Sequence, residues 1–180
     1  MTSERTRPAN KITPCALPEG SRIIQTVPGS HFADCYRMAD TWPELEAFDT
    51  FLALTARTPG WMNALMSLRN QAVRLVGLKH LGAMKANHAA KPASAYQIGD
   101  RVGIFTLRHV EPNEVILGDD DKHLRVQASV LKHRVGGQRM VSLSTVVHIH
   151  NTLGHIYMGV VGPVHKRIVP LMLAQVTRVA

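Results

Sequence analysis

The sequence predicts a single α+β domain in which a curved antiparallel sheet is packed by a helix pair and a long C-terminal helix. Apolar residues recur at helical spacing from Trp42 to Val76, whereas they alternate with polar residues after Gly99. The segments between the alternating stretches are short, so neighbouring strands must run antiparallel as a meander. The 180 residues, of which 45% are apolar, are enough for one core.

Residues 1–20 are predicted to be a flexible basic arm, and residues 21–180 to be the domain. Arg5, Arg7 and Lys11 lie among prolines, and no period would bury one face of this segment. The arm has no apolar stretch of the kind that a secretory signal needs, and no later run approaches the roughly 20 apolar residues of a membrane span. We therefore expect a cytoplasmic protein without a membrane span.

Cys15 and Cys35 are the two cysteines of the chain. They lack the CxxC spacing, and no signal peptide precedes them, so both are predicted to be reduced. Cys35 falls in a predicted strand from His31 to Met38. Its interpretation as a small buried hydrophobic residue outweighs a role as a nucleophile.

The positive charges are scattered along the chain. The formal net charge is +8 and the pI is near 10, which raises the question of acidic partners. Few aromatic residues lie near the lysines and arginines for base stacking. A solvated basic surface is therefore favoured over nucleic-acid binding, and salt-dependent binding to nucleic acid or to another protein is the weakest functional interpretation.

Two helices are predicted ahead of the meander, from Trp42 to Thr58 and from Trp61 to Val76. Thr41 can cap the first helix, and a Pro-Gly pair ends it. The following segment, from Leu81 to Gly99, is rich in small residues and is expected to be a lid or a mobile loop. At the other end of the chain, Pro163 to Val179 is a predicted helix that Pro170 should kink, lying across the sheet.

The meander itself is predicted from segments whose hydrophobicity alternates with a period of two. These segments are Arg101–Leu107, Glu114–Leu117, His123–His133, Arg139–His150 and His155–Val161. The predicted turns between them include Gly118-Asp119-Asp120-Asp121, Gly136-Gly137 and Asn151-Thr152-Leu153-Gly154. One face of the sheet is expected to be buried, and the other to carry an exposed polar ladder of Ser142, Ser144, His148 and His150.

Short motifs are spread along the chain, and the element order is a strand, a helix pair, a loop, an antiparallel meander and a terminal helix. The motifs are Trp61, Leu68-Arg69-Asn70, Gly77-Leu78-Lys79, Gly103-Ile104-Phe105, Glu114-Val115-Ile116-Leu117-Gly118, Asp121-Lys122-His123-Leu124, His150-Asn151, Tyr157 and Pro163-Val164-His165-Lys166-Arg167. The motifs resemble a bacterial family, the domain of unknown function 2867, and the element order resembles the helix-grip fold of the START and Bet v 1 (SRPBCC) superfamily. This resemblance implies a helix-grip-like fold and brings no established activity. Family members occur alone or fused behind nucleotide-binding oxidoreductase domains, but this chain has no Rossmann fingerprint that would carry over the fused activity. An oxidoreductase partner and homo-oligomers stay open.

Two places in the sequence carry residues that could bind a metal ion, but a site without metal is favoured at both. The segment from Asp119 to His123 offers carboxylates and an imidazole, but acidic residues also favour turns and the spacing fits no known ion-binding loop. His148 and His150 point the same way on a strand, where a surface position explains them. No metal and no cofactor is predicted.

The leading hypothesis is a noncatalytic domain that binds a small, largely apolar molecule between the sheet and the C-terminal helix. Thr145 shares the buried face with Leu143 and Val147, so its hydroxyl needs a partner, which can be a backbone carbonyl, a buried water or the ligand. The predicted ligand-binding residues are Phe105, Leu124, Val126, Leu143, Thr145, Tyr157, Met158, Leu171 and Met172.

The alternative hypothesis is an enzyme on the same scaffold, of the cyclase, isomerase or hydrolase type. Its candidate catalytic residues supply an imidazole that titrates near neutrality, a phenol and an orienting carboxylate. They are His123, His165, Asp121 and Tyr157.

Overall fold

The computed structural model describes residues 11–56 and 92–177, which form one seven-stranded antiparallel sheet with two α-helices. The strands are β1 (Thr13–Pro14), β2 (Phe32–Ala39), β3 (Arg101–Val102), β4 (Phe105–Val110), β5 (Glu114–Asp120), β6 (Leu124–Val135) and β7 (Gln138–Ile149). The helices are α1 (Ala47–Ala56) and α2 (Thr152–Thr177), and short 3-10 helices cover Arg22–Thr26 and Ala93–Ala95.

The predicted meander is present, and the first strands extend it at one edge. The spatial order is β1-β2-β7-β6-β5-β4-β3, with every neighbouring pair antiparallel. The hairpin between β6 and β7 turns at Gly136 and Gly137, whose φ angles of 55° and 82° suit the left-handed turn that two-residue hairpins need. This turn is confirmed at the predicted residues.

The main core lies on the face of the sheet that α1 and α2 cover, called here the inner face. Alternation along each strand sends residues such as Met38, Leu117 and Val130 to this face, and all three are fully buried. From α1, Phe48, Phe51 and Leu54 join the cluster, and from α2 Val169 and Leu173 do so. The two helices therefore share one core with the sheet.

The opposite, outer face is covered in part by residues 15–28. This corrects the prediction of an exposed polar ladder at Ser142 and Ser144, whereas His150 of that ladder is exposed. Ile23, in the 3-10 helix of this segment, packs on Ile116 and Val146. Beneath the segment, Ser142 and Ser144 are only 0% and 1% exposed. Within residues 11–20, which the sequence places in the predicted arm, β1 pairs with β2 at the edge of the sheet.

The predicted strand from His155 to Val161 is wrong, because α2 already begins at Thr152. The predicted turn before it is the start of the helix: the side-chain oxygen of Asn151 accepts a hydrogen bond from the backbone N–H of Gly154 at 3.1 Å, which caps the first turn. Both Pro163 and Pro170 lie inside the helix. The helix thus begins about three turns earlier than predicted.

Smaller corrections concern the bounds of other elements. The helix predicted from Trp42 begins at Ala47. Gly103, with φ 61°, divides the strand predicted at Arg101–Leu107 into β3 and β4. Gly118, predicted to be in a turn, lies inside β5. The second predicted helix and the predicted loop up to residue 91 lie outside the described residues.

Candidate functional site

Asp34 is a carboxylate on the otherwise apolar inner face of β2. Its position follows from the strand period, which sends it to the same face as Tyr36 and Met38. The side chain is 12% exposed, and its Oδ2 atom is buried and accepts no hydrogen bond from residues 11–56 or 92–177. A buried carboxylate oxygen in this state costs free energy, so its presence needs an explanation.

His165 of α2 contacts the other oxygen of this carboxylate. Its Nε2 atom lies 3.3 Å from Oδ1 of Asp34. The imidazole also meets the ring of Phe32 edge to face, with the centroids 5.7 Å apart. Carboxylate and aromatic ring together fix the orientation of the imidazole, and leave Oδ2 of Asp34 facing away from it.

Thr145 of β7 lies directly opposite Asp34 in the sheet. It is 6% exposed, so it is buried on the inner face as predicted. Because opposite residues of an antiparallel pair have Cβ atoms roughly 5 Å apart, the hydroxyl and the carboxylate lie side by side. On its other side Thr145 is paired with Ala128, whose methyl group fills little space.

The inner face of β6 is only half-covered next to these polar groups. Leu124, Val126 and Ala128 are half-buried, although β6 is an interior strand between β5 and β7. Further along the same face, Val130 is fully buried. We call this half-covered region, with Asp34, Thr145 and His165, the inner cleft.

Tyr36 fastens α2 beside the inner cleft. Its hydroxyl donates a hydrogen bond to the backbone carbonyl of Lys166 at 3.2 Å. This carbonyl lies four residues before Pro170, which has no N–H to offer it, so the helix leaves an acceptor that the tyrosine satisfies. Burial, followed by the nearby charge of Asp34, raises the pKa of Tyr36 above its ordinary value of 10.0.

Comparison with known families decides where the chain belongs. The sequence profile described as "Protein of unknown function (DUF2867)" matches residues 26–172. The chain belongs to the DUF2867 family. No curated protein and no solved structure gave a match. The match spans β2, α1, the meander and most of α2, so it includes every residue of the inner cleft.

In this DUF2867 chain the candidate catalytic residues predicted from the sequence do not converge. Asp121 and His123 lie in the turn between β5 and β6, where Oδ1 of Asp121 accepts the backbone N–H of His123 at 2.7 Å. His123 contacts Asn151, next to the start of α2, at 3.2 Å. His165 is 13 positions beyond Thr152 and therefore roughly 20 Å further along the helix. Tyr157 is half-buried on α2 between the two.

The predicted ligand-binding residues are distributed over the inner cleft and the main core. Leu124, Val126 and Thr145 lie in the cleft, whereas Phe105 and Leu143 pack against the main core. Leu171, on α2, is 52% exposed and so faces away from the main core. Met158 and Met172 of α2 are half-buried.

The sequence reasoning missed Asp34, although a signal was present. In the predicted strand from His31 to Met38, Asp34 shares its parity with Phe32, Tyr36 and Met38, so an inward carboxylate could have been inferred. Its contact with His165 could not, because 131 positions separate the two residues.

Other polar clusters of this DUF2867 chain are explained without a ligand. A shallow groove of about 190 Å³ runs along the β5–β6 ladder, and its lining includes two arginines, Arg108 and Arg125, and two aspartates, Asp119 and Asp120, so these charges balance. Within residues 11–56 and 92–177, no three His, Cys, Asp or Glu side chains are placed to share a metal ion. The same part of the chain contains no helix that is long and apolar enough to cross a membrane.

Proposed function

We propose that this DUF2867 chain binds a small, largely apolar molecule in the inner cleft and that the ligand donates a hydrogen bond to Asp34. The observation that carries the proposal is the buried, unpartnered Oδ2 atom of Asp34. An unsatisfied buried acceptor costs about 1–3 kcal/mol, and more when it is charged. A ligand hydroxyl or amine at this atom removes that cost, so part of the binding energy is already stored in the free protein.

The surroundings of Asp34 support an apolar ligand body. Leu124, Val126 and Ala128 offer hydrocarbon surface that the protein leaves half-covered. Covering such surface contributes about 25 cal/mol for each Å² removed from water. Thr145 adds one hydroxyl beside the carboxylate, so the cleft combines an apolar floor with a few convergent polar groups, as ligand pockets usually do.

The architecture supports a domain of helix-grip type. The C-terminal helix lies across one face of an antiparallel meander, with α1 against the same core. In this proposal the ligand occupies the space between β6, β7 and α2, and the Tyr36 bond to Lys166 keeps the helix at a fixed distance from the sheet.

Native mass spectrometry of the freshly purified protein tests the proposal. We expect the wild-type protein to carry extra mass that denaturation releases, and Asp34→Asn to lose it. Asp120→Asn is the matched control, since it makes the same chemical change at an exposed position of β5. Extra mass that persists in Asp34→Asn would refute the assignment of Asp34. A bare mass in all three proteins shows that no ligand survives purification. Titration with octylamine and octanoate then decides whether Asp34 binds a ligand.

The second candidate function is general acid–base catalysis by His165. Its support is the orientation of the imidazole by Asp34 and Phe32, which is how a catalytic histidine is commonly held. With the released molecule as substrate, His165→Asn should abolish turnover and keep binding. His123→Asn should leave both unchanged, because His123 lies at the other end of α2. Binding without any turnover by the wild-type protein would exclude this candidate.

A further inference from the structure

Cys15 and Cys35 face each other across the pairing of β1 with β2. The register that pairs Thr13 with Arg37 and Pro14 with Tyr36 brings Cys15 opposite Cys35 at the next step. The backbone N–H of Cys15 donates to the carbonyl of Cys35 at 3.0 Å. The two sulfur atoms are 3.3 Å apart, and both thiols are free.

The two thiols differ in their access to solvent. Cys15 is half-buried, so a small oxidant can reach it. Cys35 is 2% exposed, and its sulfur also accepts a hydrogen bond from the hydroxyl of Ser144 at 3.3 Å. Burial raises the pKa of Cys35 to about 12, which keeps it a thiol at neutral pH. Cys15 is therefore the residue that meets an oxidant first.

We propose that Cys15 and Cys35 are a site of reversible oxidation, at which a hydroperoxide converts the two thiols into an intramolecular disulfide. The Cys15 thiolate attacks one oxygen of hydrogen peroxide, and the O–O bond breaks as Cys15 becomes a sulfenic acid. The other oxygen leaves as hydroxide, which takes up the proton that the Cys15 thiol lost and becomes water. The sulfur of Cys35 then attacks the sulfur of Cys15. The S–S bond forms as the S–O bond breaks, and the departing hydroxide takes the proton of Cys35 as a second water.

The geometry requires only a small movement. Opposite residues of an antiparallel pair have Cα atoms about 4.5–5.5 Å apart, which lies inside the range that disulfides span. The sulfurs, now 3.3 Å apart, must approach by roughly 1.3 Å to reach the bonding distance of about 2.0 Å. Rotation of the half-buried Cys15 side chain can supply this movement.

The disulfide would hold the segment that covers the outer face of the sheet. The segment between the cysteines contains Ile23, which packs on Ile116 and Val146. It also contains Ser21 and Arg22, which bind the carboxylate of Glu114. Closing this loop restricts the detached conformations of the segment, so oxidation stabilises its docking.

Intact-mass analysis after treatment of the folded full chain with hydrogen peroxide tests the chemistry. The wild-type protein should lose about 2 Da and both free thiols, and dithiothreitol should restore them. Cys35→Ser, which leaves Cys15 without a partner, should instead gain about 32 Da as the sulfinic acid. Cys15→Ser should stay unchanged. Wild-type protein that gains the mass of a sulfinic acid, or that forms a disulfide-linked dimer, would overturn the proposal.

Amide hydrogen exchange tests the effect on the segment. In oxidised wild-type protein, exchange at the backbone N–H of Arg22, which donates to Glu114 at 2.9 Å, should slow by roughly tenfold or more. The two serine variants should show no change after the same treatment. Unchanged exchange in a protein whose disulfide has formed would overturn the claim that oxidation secures the outer cover.

Discussion

The imidazole Nε2 of His165 lies 3.3 Å from Oδ1 of Asp34, and this contact joins α2 to β2. Among the residues that the structure describes, none donates a hydrogen bond to Oδ2 of the same carboxylate. Asp40, just after the same strand, is satisfied instead: its Oδ2 lies 3.2 Å from Nζ of Lys132, and the aspartate side chain is 3% exposed. Lys132 also donates to the carbonyls of Trp42 and Leu45, ahead of α1. Asp40 thus has an ion-pair partner within the fold, whereas in our proposal the free oxygen of Asp34 binds a ligand.

Substitution of the two aspartates should separate these roles. Asp34→Asn should change the free energy of unfolding by less than about 1 kcal/mol, because it removes a charge that is only half-satisfied. Asp40→Asn should cost about 3 kcal/mol, since it leaves the ammonium of Lys132, whose side chain is 11% exposed, without its counterion. Urea unfolding measures both. Equal losses would mean that Asp34 is also a structural residue.

A double-mutant cycle tests whether the hydroxyl of Tyr36 replaces the backbone N–H that Pro170 lacks. Tyr36→Phe should cost about 1 kcal/mol, because the carbonyl of Lys166 loses its hydrogen-bond donor. In a Pro170→Ala background the new backbone N–H can satisfy that carbonyl, so the same substitution should cost less than half as much. Denaturant unfolding of the wild-type protein, the two single variants and the double variant gives the coupling free energy between the two substitutions. Strict additivity would contradict the explanation.

Glu114 should be important for stability because it joins the outer cover to the sheet. Its carboxylate is 2% exposed and accepts hydrogen bonds from the hydroxyls of Ser21 and Ser129 and from the backbone N–H of Arg22. Glu114→Gln places an amide N–H₂ among these donors and should cost about 1–3 kcal/mol. Glu111→Gln, the control, removes a 40% exposed partner of Arg22 and should cost less than about 0.5 kcal/mol.

Denaturant midpoints of the two variants measure this difference. An equal effect at Glu114 and Glu111 would show that the buried carboxylate does not hold the segment.

Replacing two glycines of α2 with alanine should change the stability of the protein in opposite directions. A Cβ at Gly154 would overlap the carbonyl oxygen of His123 and come within 2.7 Å of Ile149, so Gly154→Ala should cost about 1–3 kcal/mol. At Gly159 a Cβ meets open space, and Gly159→Ala should stabilise the helix by up to about 1 kcal/mol. Thermal unfolding distinguishes them, and a tolerated Gly154→Ala would contradict the close approach of α2 to the β5–β6 turn.

His133 should make the protein less stable in mild acid. Burial, then the charge of Arg37, lowers its pKa below 6.5, and its Nε2 lies 2.8 Å from the hydroxyl of Ser142. As the pH falls through 6.5 the unfolded chain takes up a proton before the folded one, so the contribution of His133 is complete above pH 6.5 and is lost below it. Unfolding measured from pH 7.5 to 5.5 should show a shallower slope in His133→Gln. An unchanged slope would exclude this cause.

The long strands could be predicted from the alternation of polar and apolar residues. A shift of the strand register by one residue would move every side chain to the opposite face of the sheet, so the alternation fixes the register. The residues of β6 and β7 each alternate over 12 residues, and Gly136-Gly137 fixes their register. The helix predicted from Pro163 was correct in type, but its start was not. Asparagine, here Asn151, is common both in turns and at helix caps, and the short apolar run after His155 fits the period of a helix as well as that of a strand.

The contacts of the candidate site could be predicted only in part. The parity of β7 predicts that Thr145 faces inward, and the parity of β2 contains the same information for Asp34. Their partners come from distant segments: His165 is 131 positions from Asp34, and Ser21 is 93 positions from Glu114. Nothing local in the sequence fixes which distant element covers which face of the sheet, so the buried serines of the outer face were predicted to be exposed.

The proposed role of Asp34 is tested most directly by titration with octylamine and octanoate, which share an apolar body and differ in charge. The net charge of +8 favours octanoate at any nonspecific site, whereas Asp34 favours the ammonium group of octylamine. Methyl resonances of Val126 and Ala128 report on the inner cleft. We predict that octylamine binds there at least about tenfold more tightly than octanoate, and that Asp34→Asn removes this preference while Asp120→Asn keeps it. Equal or tighter binding of octanoate, or an octylamine affinity that Asp34→Asn leaves unchanged, would contradict a ligand site at Asp34.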